Sequence, residues 1–222
     1  MDQNQIREVR ESYDRLSDEY ARRIYGELAH KPLDREFLDC FVRDASGGFV
    51  CDIGCGPGHV ARYLHETGAR AIGLDLSPRM IEIARGLNPA IQFEVGDMLA
   101  LPLATDSLAG IAAFYAIVNI PESSLPVVFR EMYRVLRKGG LLLIAFHIGG
   151  DSLFVDELWG RRVTMNFYFF TTEAIKRLLV AAGFSVEETI EREPYAPEVE
   201  HQSRRAYIFA RKPRLTPVAP CA

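Results

Sequence analysis

The fold is decided by the stretch VCDIGCGPGHVARYL, which runs from Val50 to Leu64. A short, mostly apolar segment is followed by glycines at positions 54, 56 and 58, and then by a helical pattern. Glycine loses more conformational freedom on folding than any other residue, so this density indicates a loop that needs unusual backbone angles or a bare backbone. The stretch therefore predicts a buried strand, a tight glycine loop and a helix in succession.

Strand and helix patterns alternate from this stretch to residue 147. Ser77 and Pro78 have the character of a helix cap followed by a first-turn proline. The last strand of the series is apolar at almost every position, as expected when both faces of a strand are covered. Such alternation predicts a parallel sheet with helices on both sides. The five predicted strands are FVCDI, RAIGLDL, IQFEVGD, LAGIAAFY and LLLIAFH.

The segments on either side of this core have different patterns. Apolar residues from Ile6 to Ile24 recur every three or four positions, which predicts a long amphipathic helix. In the last third, FSVEETIERE and RRAYIFARK follow one another with no helix between them. A direct connection cannot form a right-handed parallel crossover, so these two strands are predicted to pair antiparallel.

Composition and charge limit the classes of function. The 222 residues carry a net charge of −4, with 48% hydrophobic and 25% charged residues, as in an ordinary globular protein. The sequence has no basic stripe for nucleic acid and no apolar run of the roughly 20 residues that span a bilayer. Its cysteines lack a framework spacing and its first residues do not form a secretory signal. We therefore expect a cytoplasmic protein, monomeric or homodimeric, without nucleic-acid or membrane partners.

Three acids stand at the ends of consecutive strands, around the glycine loop. A dinucleotide fingerprint would place its third glycine at position 59, where this chain has His59. Asp52 precedes the loop, and a carboxylate there would repel a pyrophosphate but suits a ligand that carries an ammonium group. Asp75 ends the second strand, where a carboxylate can accept both ribose hydroxyls, and Asp97 follows the third, near a site for an adenine amino group. This pattern favours S-adenosylmethionine over NAD.

Residues 49–147 resemble the class I S-adenosylmethionine-dependent methyltransferases, in the small-molecule group that includes quinone-biosynthesis enzymes. Four motifs match in order: VCDIGCGPGHVARYL, GLDLSPRMIEIAR, FEVGDMLALPLATDSLAGI and EMYRVLRKGGLLLIAF. The resemblance implies a doubly wound α/β fold with a seven-stranded sheet in the order 3-2-1-4-5-7-6, strand 7 being antiparallel. It also implies one domain over 1–212, comprising a helical cap (1–45), a cofactor-binding core (49–147) and an acceptor-side segment (150–205), with a tail at 213–222.

The resemblance further implies which residues bind S-adenosylmethionine. They come from the glycine loop, the strand ends and the N-terminal helix: Asp52, Gly54, Cys55 and Gly56 for the methionine half, Asp75 for the ribose, Leu76, Met80, Asp97 and Met98 around the adenine, Phe114 and Tyr115 beside the methionine moiety, and Tyr13 and Tyr20 over the cofactor. No metal site is expected.

A catalytic base is less clearly indicated. Many relatives carry a histidine shortly after the fourth strand, where this chain has Asn119. His147 ends the fifth strand, at the same sheet edge as the glycine loop, so it either takes a proton from the acceptor or only shapes the pocket. The aromatic segment around Trp159 either lines an acceptor pocket or packs as core and lid.

The predicted function is methyl transfer from S-adenosylmethionine to a small-molecule acceptor, on oxygen or nitrogen rather than carbon. Two alternatives stay open, an NAD(P)-dependent oxidoreductase and a cofactor-binding protein that has lost catalysis. An enzyme that methylates adenine in nucleic acid would carry paired prolines and an aromatic residue after the fourth strand, and YAIVNIP lacks them. A metalloid methylator would need several cysteines facing the pocket, which this sequence does not predict.

Overall fold

The computed structural model describes residues 1–214, so most of the predicted tail at 213–222 lies outside the described residues. Within the described part, no helix combines the length and the apolar character needed to cross a membrane. The helices are α1 Gln3–Ile24, α2 Pro32–Asp44, α3 His59–Glu66, α4 Pro78–Leu87, α5 Leu125–Val135 and α6 Thr172–Ala181. The strands are β1 Phe49–Ile53, β2 Arg70–Asp75, β3 Gln92–Val95, β4 Leu108–Phe114, β5 Leu136–His147, β6 Ser152–Leu158, β7 Arg161–Tyr168, β8 Ser185–Arg192 and β9 Arg205–Arg211.

Seven strands form one sheet in the order β3-β2-β1-β4-β5-β9-β8. Strands β1 to β5 pair in parallel, whereas β9 runs antiparallel to both of its neighbours. The predicted fold class and strand order are therefore confirmed, with the predicted strands 6 and 7 corresponding to β8 and β9. The carboxyl ends of β1, β2 and β4 consequently meet at one edge, where folds of this kind bind ligands.

Strand β5 lies at the centre of two apolar layers. Leu142 and Ile144 belong to the cluster that contains the buried face of α5, whereas Leu141 and Leu143 belong to the cluster on the opposite face, with α2. Successive side chains of a strand point to opposite faces, so every position of this strand has to be apolar. The strand also begins earlier than predicted, because α5 ends at Val135 and the chain extends at once.

The structure contains an element that the sequence pattern did not reveal, a separate two-stranded hairpin formed by β6 and β7. Its inner face packs on α1 rather than on the main sheet, since Val163 and Met165 form a small core with Leu16. The Ser12 hydroxyl accepts a hydrogen bond from the Thr164 amide at 2.9 Å. Helix α1 and the hairpin thus form one layer above the carboxyl edge of the sheet.

Helix α1 is also fastened to the start of α4. The Asp14 carboxylate accepts hydrogen bonds from the Ser77 hydroxyl at 2.5 Å and from the Arg79 amide at 3.2 Å. Ser77 in turn caps α4, because its hydroxyl oxygen accepts a bond from the Met80 amide at 3.1 Å. An acid beside a helix N-terminus is favourable for the exposed amides and the helix dipole. These bonds hold α1 over the end of β2.

Candidate functional site

The glycine loop lines a cavity of about 90 Å³ at the carboxyl edge of the sheet. Gly54 and Gly56 have positive φ angles of 72° and 50°, in the left-handed region that favours glycine. A Cβ atom on Gly54 would lie 2.7 Å from the Cβ atom of Ala116. The loop therefore needs glycine at position 54 both for its backbone angle and for its close approach to the turn after β4.

The carboxylate of Asp75 fixes the conformation of this loop. One of its oxygens accepts a hydrogen bond from the Gly56 amide and the other from the Ser77 amide, each at 2.8 Å. Burial raises the pKa of the Asp75 carboxyl above its ordinary value. A carboxylate has about four acceptor sites, so both oxygens can accept further bonds from a ligand in the cavity. Asp75 thus joins the loop to the start of α4 and faces the cavity.

Most of the predicted cofactor residues meet around this cavity. Eleven of the thirteen line it, namely Tyr13, Tyr20, Gly54, Gly56, Asp75, Leu76, Met80, Asp97, Met98, Phe114 and Tyr115.

The other two predicted residues, Asp52 and Cys55, lie behind the loop. The Asp52 carboxylate is 2% exposed and accepts a hydrogen bond from the Ala61 amide in the first turn of α3 at 2.9 Å. Burial raises the pKa of this carboxyl to about 7. Cys55 packs in a small core with Phe93. Neither side chain is among those that line the cavity, so both support the loop from within the fold.

Asn119 joins three parts of the site, a role that the sequence analysis missed. The Tyr13 hydroxyl of α1 donates a hydrogen bond to Asn119 Oδ1 at 2.8 Å. Asn119 Nδ2 donates to the carbonyl oxygen of Asn166 in β7, also at 2.8 Å. An amide side chain can donate and accept at once, so Asn119 satisfies both partners. No local pattern signals this role, since both partners lie far away in the sequence.

A second cavity, of about 430 Å³, adjoins the first. The two share Tyr13, Tyr20 and Tyr115. Its other walls come mainly from the β6–β7 hairpin and the residues just after it, including Trp159 and Phe169. The aromatic segment around Trp159 therefore lines a cavity, and Trp159 also packs against the small core of Leu16, Val163 and Met165.

Two residues of this second cavity have strained backbones. Tyr115 and Trp159 adopt positive φ angles of 54° and 52°, which are uncommon for bulky side chains. Tyr115 follows β4 directly, at the point where the two cavities meet. Strain of this kind persists only where the surrounding structure imposes it, and it concentrates at functional sites.

His147 and His201 supply polar atoms in the wall of the second cavity. His147 Nδ1 lies 2.8 Å from the Ser203 hydroxyl oxygen, and its ring packs against that of Tyr115 at a centroid distance of 5.0 Å. Burial lowers the pKa of the His147 imidazole to about 3, with the Arg205 guanidinium adding to the effect. His147 is therefore neutral at pH 7.

Behind these histidines lies a buried network of charged groups. Arg205 is 2% exposed, and its guanidinium donates to the His201 carbonyl oxygen at 2.7 Å and to Ser203. Glu200 lies 2.5 Å from Arg192 and 3.5 Å from Arg205. Buried charges are tolerated in proteins when they are paired in this way. The cations near the site are thus held by carboxylates within the fold.

The side chains of the first cavity fit S-adenosylmethionine better than a dinucleotide. Asp75 and Asp97 line it, and none of its lining residues in the described chain is a lysine, arginine or histidine. A pyrophosphate would meet carboxylates with no basic side chain to balance its charge, whereas a cationic ligand is favoured there. Leu76 and Met80 add apolar surface against which an adenine ring can pack.

Comparison with known proteins agrees with this assignment. Residues 50–140 match a family model described as a methyltransferase domain. The chain is 37% identical over 116 residues to the malonyl-[acyl-carrier protein] O-methyltransferase of Pectobacterium atrosepticum, covering 52% of this chain and 45% of that protein. It is 31% identical over 134 residues to the 2-phytyl-1,4-naphtoquinone methyltransferase of Thermosynechococcus vestitus, covering 58% and 56%. The chain thus spans about half the length of these curated relatives.

The fold is shared with solved structures of low sequence identity. A SAM-dependent methyltransferase from Methanosarcina mazei superposes with a TM-score of 0.68 at 17% identity, over 75% of this chain and 92% of that one. At this identity the likeness concerns the fold alone, and the matched domain carries the family assignment. Residues 50–140 thus match a methyltransferase domain, and the cavity beside them has the chemistry expected of the class I S-adenosylmethionine-dependent methyltransferases, which the chain resembles.

Proposed function

We propose that this chain transfers a methyl group from S-adenosylmethionine to a small molecule held in the larger cavity. The observation that carries the proposal is that the two cavities adjoin at Tyr13, Tyr20 and Tyr115. The smaller one has the acids and the bare glycine backbone expected for the cofactor, and the larger one has an apolar, aromatic wall. S-adenosylmethionine supplies an activated methyl group on a sulfonium ion when it is bound.

The residues of the first cavity would hold the cofactor in one orientation. The backbone of Gly54 and Gly56 allows close approach, and Asp75 presents free acceptor sites for the ribose hydroxyls. Tyr20 lies directly over the loop, with its ring 3.5 Å from the position of a Cβ atom on Gly56. The proposed cofactor contacts are the eleven lining residues, while Asp52 and Cys55 act by supporting the loop.

Alignment and exclusion of water would provide most of the rate acceleration. In-line methyl transfer depends on holding donor and acceptor in a near-attack geometry. Helix α1 lines both cavities and the β6–β7 hairpin lines the larger one, so the layer that they form would limit the access of water to a bound acceptor. An oxygen or nitrogen acceptor suits such a site better than carbon, because it attacks without prior activation of a carbon–hydrogen bond.

The proposal extends to the nature of the partner and the location of the protein. The names of the curated relatives mention different acceptors, a malonyl-[acyl-carrier protein] and a 2-phytyl-1,4-naphtoquinone, so the acceptor of this chain has to be inferred from its own cavity. Cys40, Cys51 and Cys55 form no disulfide among the described residues, which agrees with a reducing, cytoplasmic setting. We propose a small-molecule acceptor and a monomeric or homodimeric protein.

Two measurements test the proposed function. Calorimetry should detect binding of S-adenosylmethionine and S-adenosylhomocysteine, and no comparable binding of NAD. The chain should then release S-adenosylhomocysteine when it is incubated with S-adenosylmethionine and a fractionated metabolite extract, and mass spectrometry should find a product heavier by one methylene. Binding of NAD without the sulfur nucleotides would refute the proposal. Cofactor binding with no product in any fraction would favour a protein that has lost catalysis.

A further inference from the structure

The larger cavity has a wall without charged side chains. Among the described residues that line it, none is an aspartate, glutamate, lysine or arginine. Transferring an ionised group from water into such a site without a partner is strongly unfavourable. A carboxylate, a phosphate or an ammonium group in the middle of this cavity would have no counter-ion within the wall.

The charged groups just behind the wall do not supply that counter-ion. Lys31 Nζ lies 5.4 Å from the centre of the Tyr115 ring but is 2.7 Å from Glu27. The Arg205 guanidinium lies 5.5 Å from the same ring and is held by Glu200 and Ser203. Both cations are thus balanced by carboxylates within the fold, and an ion of either sign in the cavity would lose its hydration without gaining a partner. The wall therefore selects against both signs of charge.

The hydrogen bonds around Ser203 determine which nitrogen of His147 carries the proton. The Ser203 hydroxyl oxygen accepts a bond from Arg205, so its own proton needs another acceptor. The neighbour available among the described residues is His147 Nδ1, at 2.8 Å. The opposite arrangement would direct two donors at one oxygen and leave the hydroxyl proton without an acceptor. Ser203 thus donates to Nδ1, and the proton of the neutral imidazole is on Nε2.

His147 Nε2 makes no hydrogen bond to any described residue, while the ring lies in the cavity wall. The geometry points to a neutral acceptor molecule that carries a hydrogen-bond-accepting oxygen, which the Nε2–H group of His147 holds as a donor. This inference rests on the proposed function, because it treats the larger cavity as the acceptor site. His147 is then a positioning residue that selects the acceptor, and Ser203 and Arg205 fix its tautomer. It does not remove the acceptor's proton.

A set of matched phenyl probes tests the charge preference. Trp159 lies in the cavity wall and is the single tryptophan of the chain, so its fluorescence reports binding without any turnover. The protein is saturated with S-adenosylhomocysteine and titrated at pH 7.5 with 4-phenyl-2-butanone, 3-phenylpropionate and 3-phenylpropylamine. The neutral ketone should bind at least about tenfold more tightly than either ion. Equal or tighter binding of an ion, or no binding of the ketone, would overturn the inference.

The His147→Phe variant tests the hydrogen bond itself. It should weaken binding of 4-phenyl-2-butanone about threefold to tenfold, the usual effect of losing one neutral hydrogen bond. Binding of butylbenzene, which has no accepting oxygen, should change little, so the hydrocarbon serves as the control for packing. An equal loss for ketone and hydrocarbon would show that His147 acts through shape alone and would overturn the inference.

The tautomer is accessible by a measurement that needs no ligand. The ¹⁵N shifts of the His147 ring, assigned by their loss in His147→Phe, should place the proton on Nε2 in the wild type. In Ser203→Ala the proton should distribute over both nitrogens, because the hydroxyl donor is gone. A wild-type proton on Nδ1 would contradict the inference.

The binding experiments distinguish failure of this inference from failure of the proposed function. If S-adenosylhomocysteine itself does not bind, the proposed function fails. If it binds but the ketone is not preferred, only this inference fails.

Discussion

The backbone amide of Gly56 donates a hydrogen bond to the side-chain carboxylate of Asp75 at 2.8 Å. The two residues lie 19 positions apart, one in the glycine loop after β1 and the other at the end of β2. The bond is possible because β1 and β2 are parallel neighbours, with Ile53 opposite Leu74 in the register. Asp75 therefore shapes the loop and faces the proposed cofactor, and its substitution affects both.

We expect Asp75→Asn to weaken binding of S-adenosylhomocysteine by roughly tenfold to a hundredfold, since a hydrogen bond to a charged group is worth about 1.5–3 kcal/mol. The substitution keeps the size of the side chain and removes its charge. Calorimetry measures the change, and Glu94→Gln, on an exposed position of the adjacent strand β3, is the matched control. Unchanged affinity in Asp75→Asn would contradict the ribose role.

The hydrogen bond from Tyr13 to Asn119 should hold α1 closed over the cofactor cavity. That cavity encloses about 90 Å³, below the roughly 300–1,000 Å³ of most ligand pockets, so we expect α1 to move outward when the cofactor enters. Tyr13→Phe removes the bond and keeps the ring. It should speed hydrogen exchange in α1 and dissociation of S-adenosylhomocysteine about twofold to tenfold.

The control for this experiment is Tyr63→Phe, which removes a hydrogen bond of 2.9 Å to Asp39 outside both cavities. It should leave exchange in α1 and the dissociation rate as they are in the wild type. If the two variants behave alike, the Tyr13–Asn119 bond does not govern the opening of α1.

Gly58 should be among the least replaceable residues of the loop. Its φ angle is +84°, and a Cβ atom would lie 2.7 Å from Phe93 Cζ. Gly58→Ala should lower the free energy of unfolding by about 2–4 kcal/mol, from the left-handed backbone and the overpacking together. Gly86→Ala in α4, where no atom lies within 4 Å of the new methyl group, should instead be neutral or stabilising by up to about 1 kcal/mol. Urea unfolding measures both, and equal effects would refute the steric argument.

His147 should make stability depend on pH in the acid range. Burial, aided by Arg205, lowers the pKa of His147 to about 3 in the folded protein, against an ordinary value of 6.5. Between these values the unfolded chain binds a proton that the folded chain does not, so stability falls as the pH drops below about 6.5. His147→Gln lacks this contribution. Between pH 6.5 and pH 5, the free energy of unfolding should therefore fall by about 1–2 kcal/mol less in the variant than in the wild type.

Urea unfolding at a series of pH values compares the two proteins. Above pH 7.5 their curves should be parallel, because histidine is neutral there in both the folded and the unfolded state. Parallel curves over the whole range down to pH 5 would show that His147 is protonated equally in both states.

Local sequence patterns were sufficient for the sheet and for most of the loop. The glycines at 54, 56 and 58, and the acids at 75 and 97, follow strands whose apolar pattern is evident. Parallel strands bring their carboxyl ends to one edge, so these residues had to meet once the alternation was recognised. The β6–β7 hairpin could not be predicted in this way, because its inner face packs on α1 and most of β6 is exposed, so that no clear apolar pattern marks the strands.

The sequence by itself determined the fold class, the position of the glycine loop and the acids that surround it, because period and spacing are local properties of the chain. Only the tertiary structure decided which way individual polar groups face. Asp52 bonds to α3 within the fold, Asn119 bonds to a tyrosine 106 positions away, and Ser203 orients His147 across 56 positions. Such hydrogen bonds join residues that only long-range packing brings together, and burial then sets their charge state.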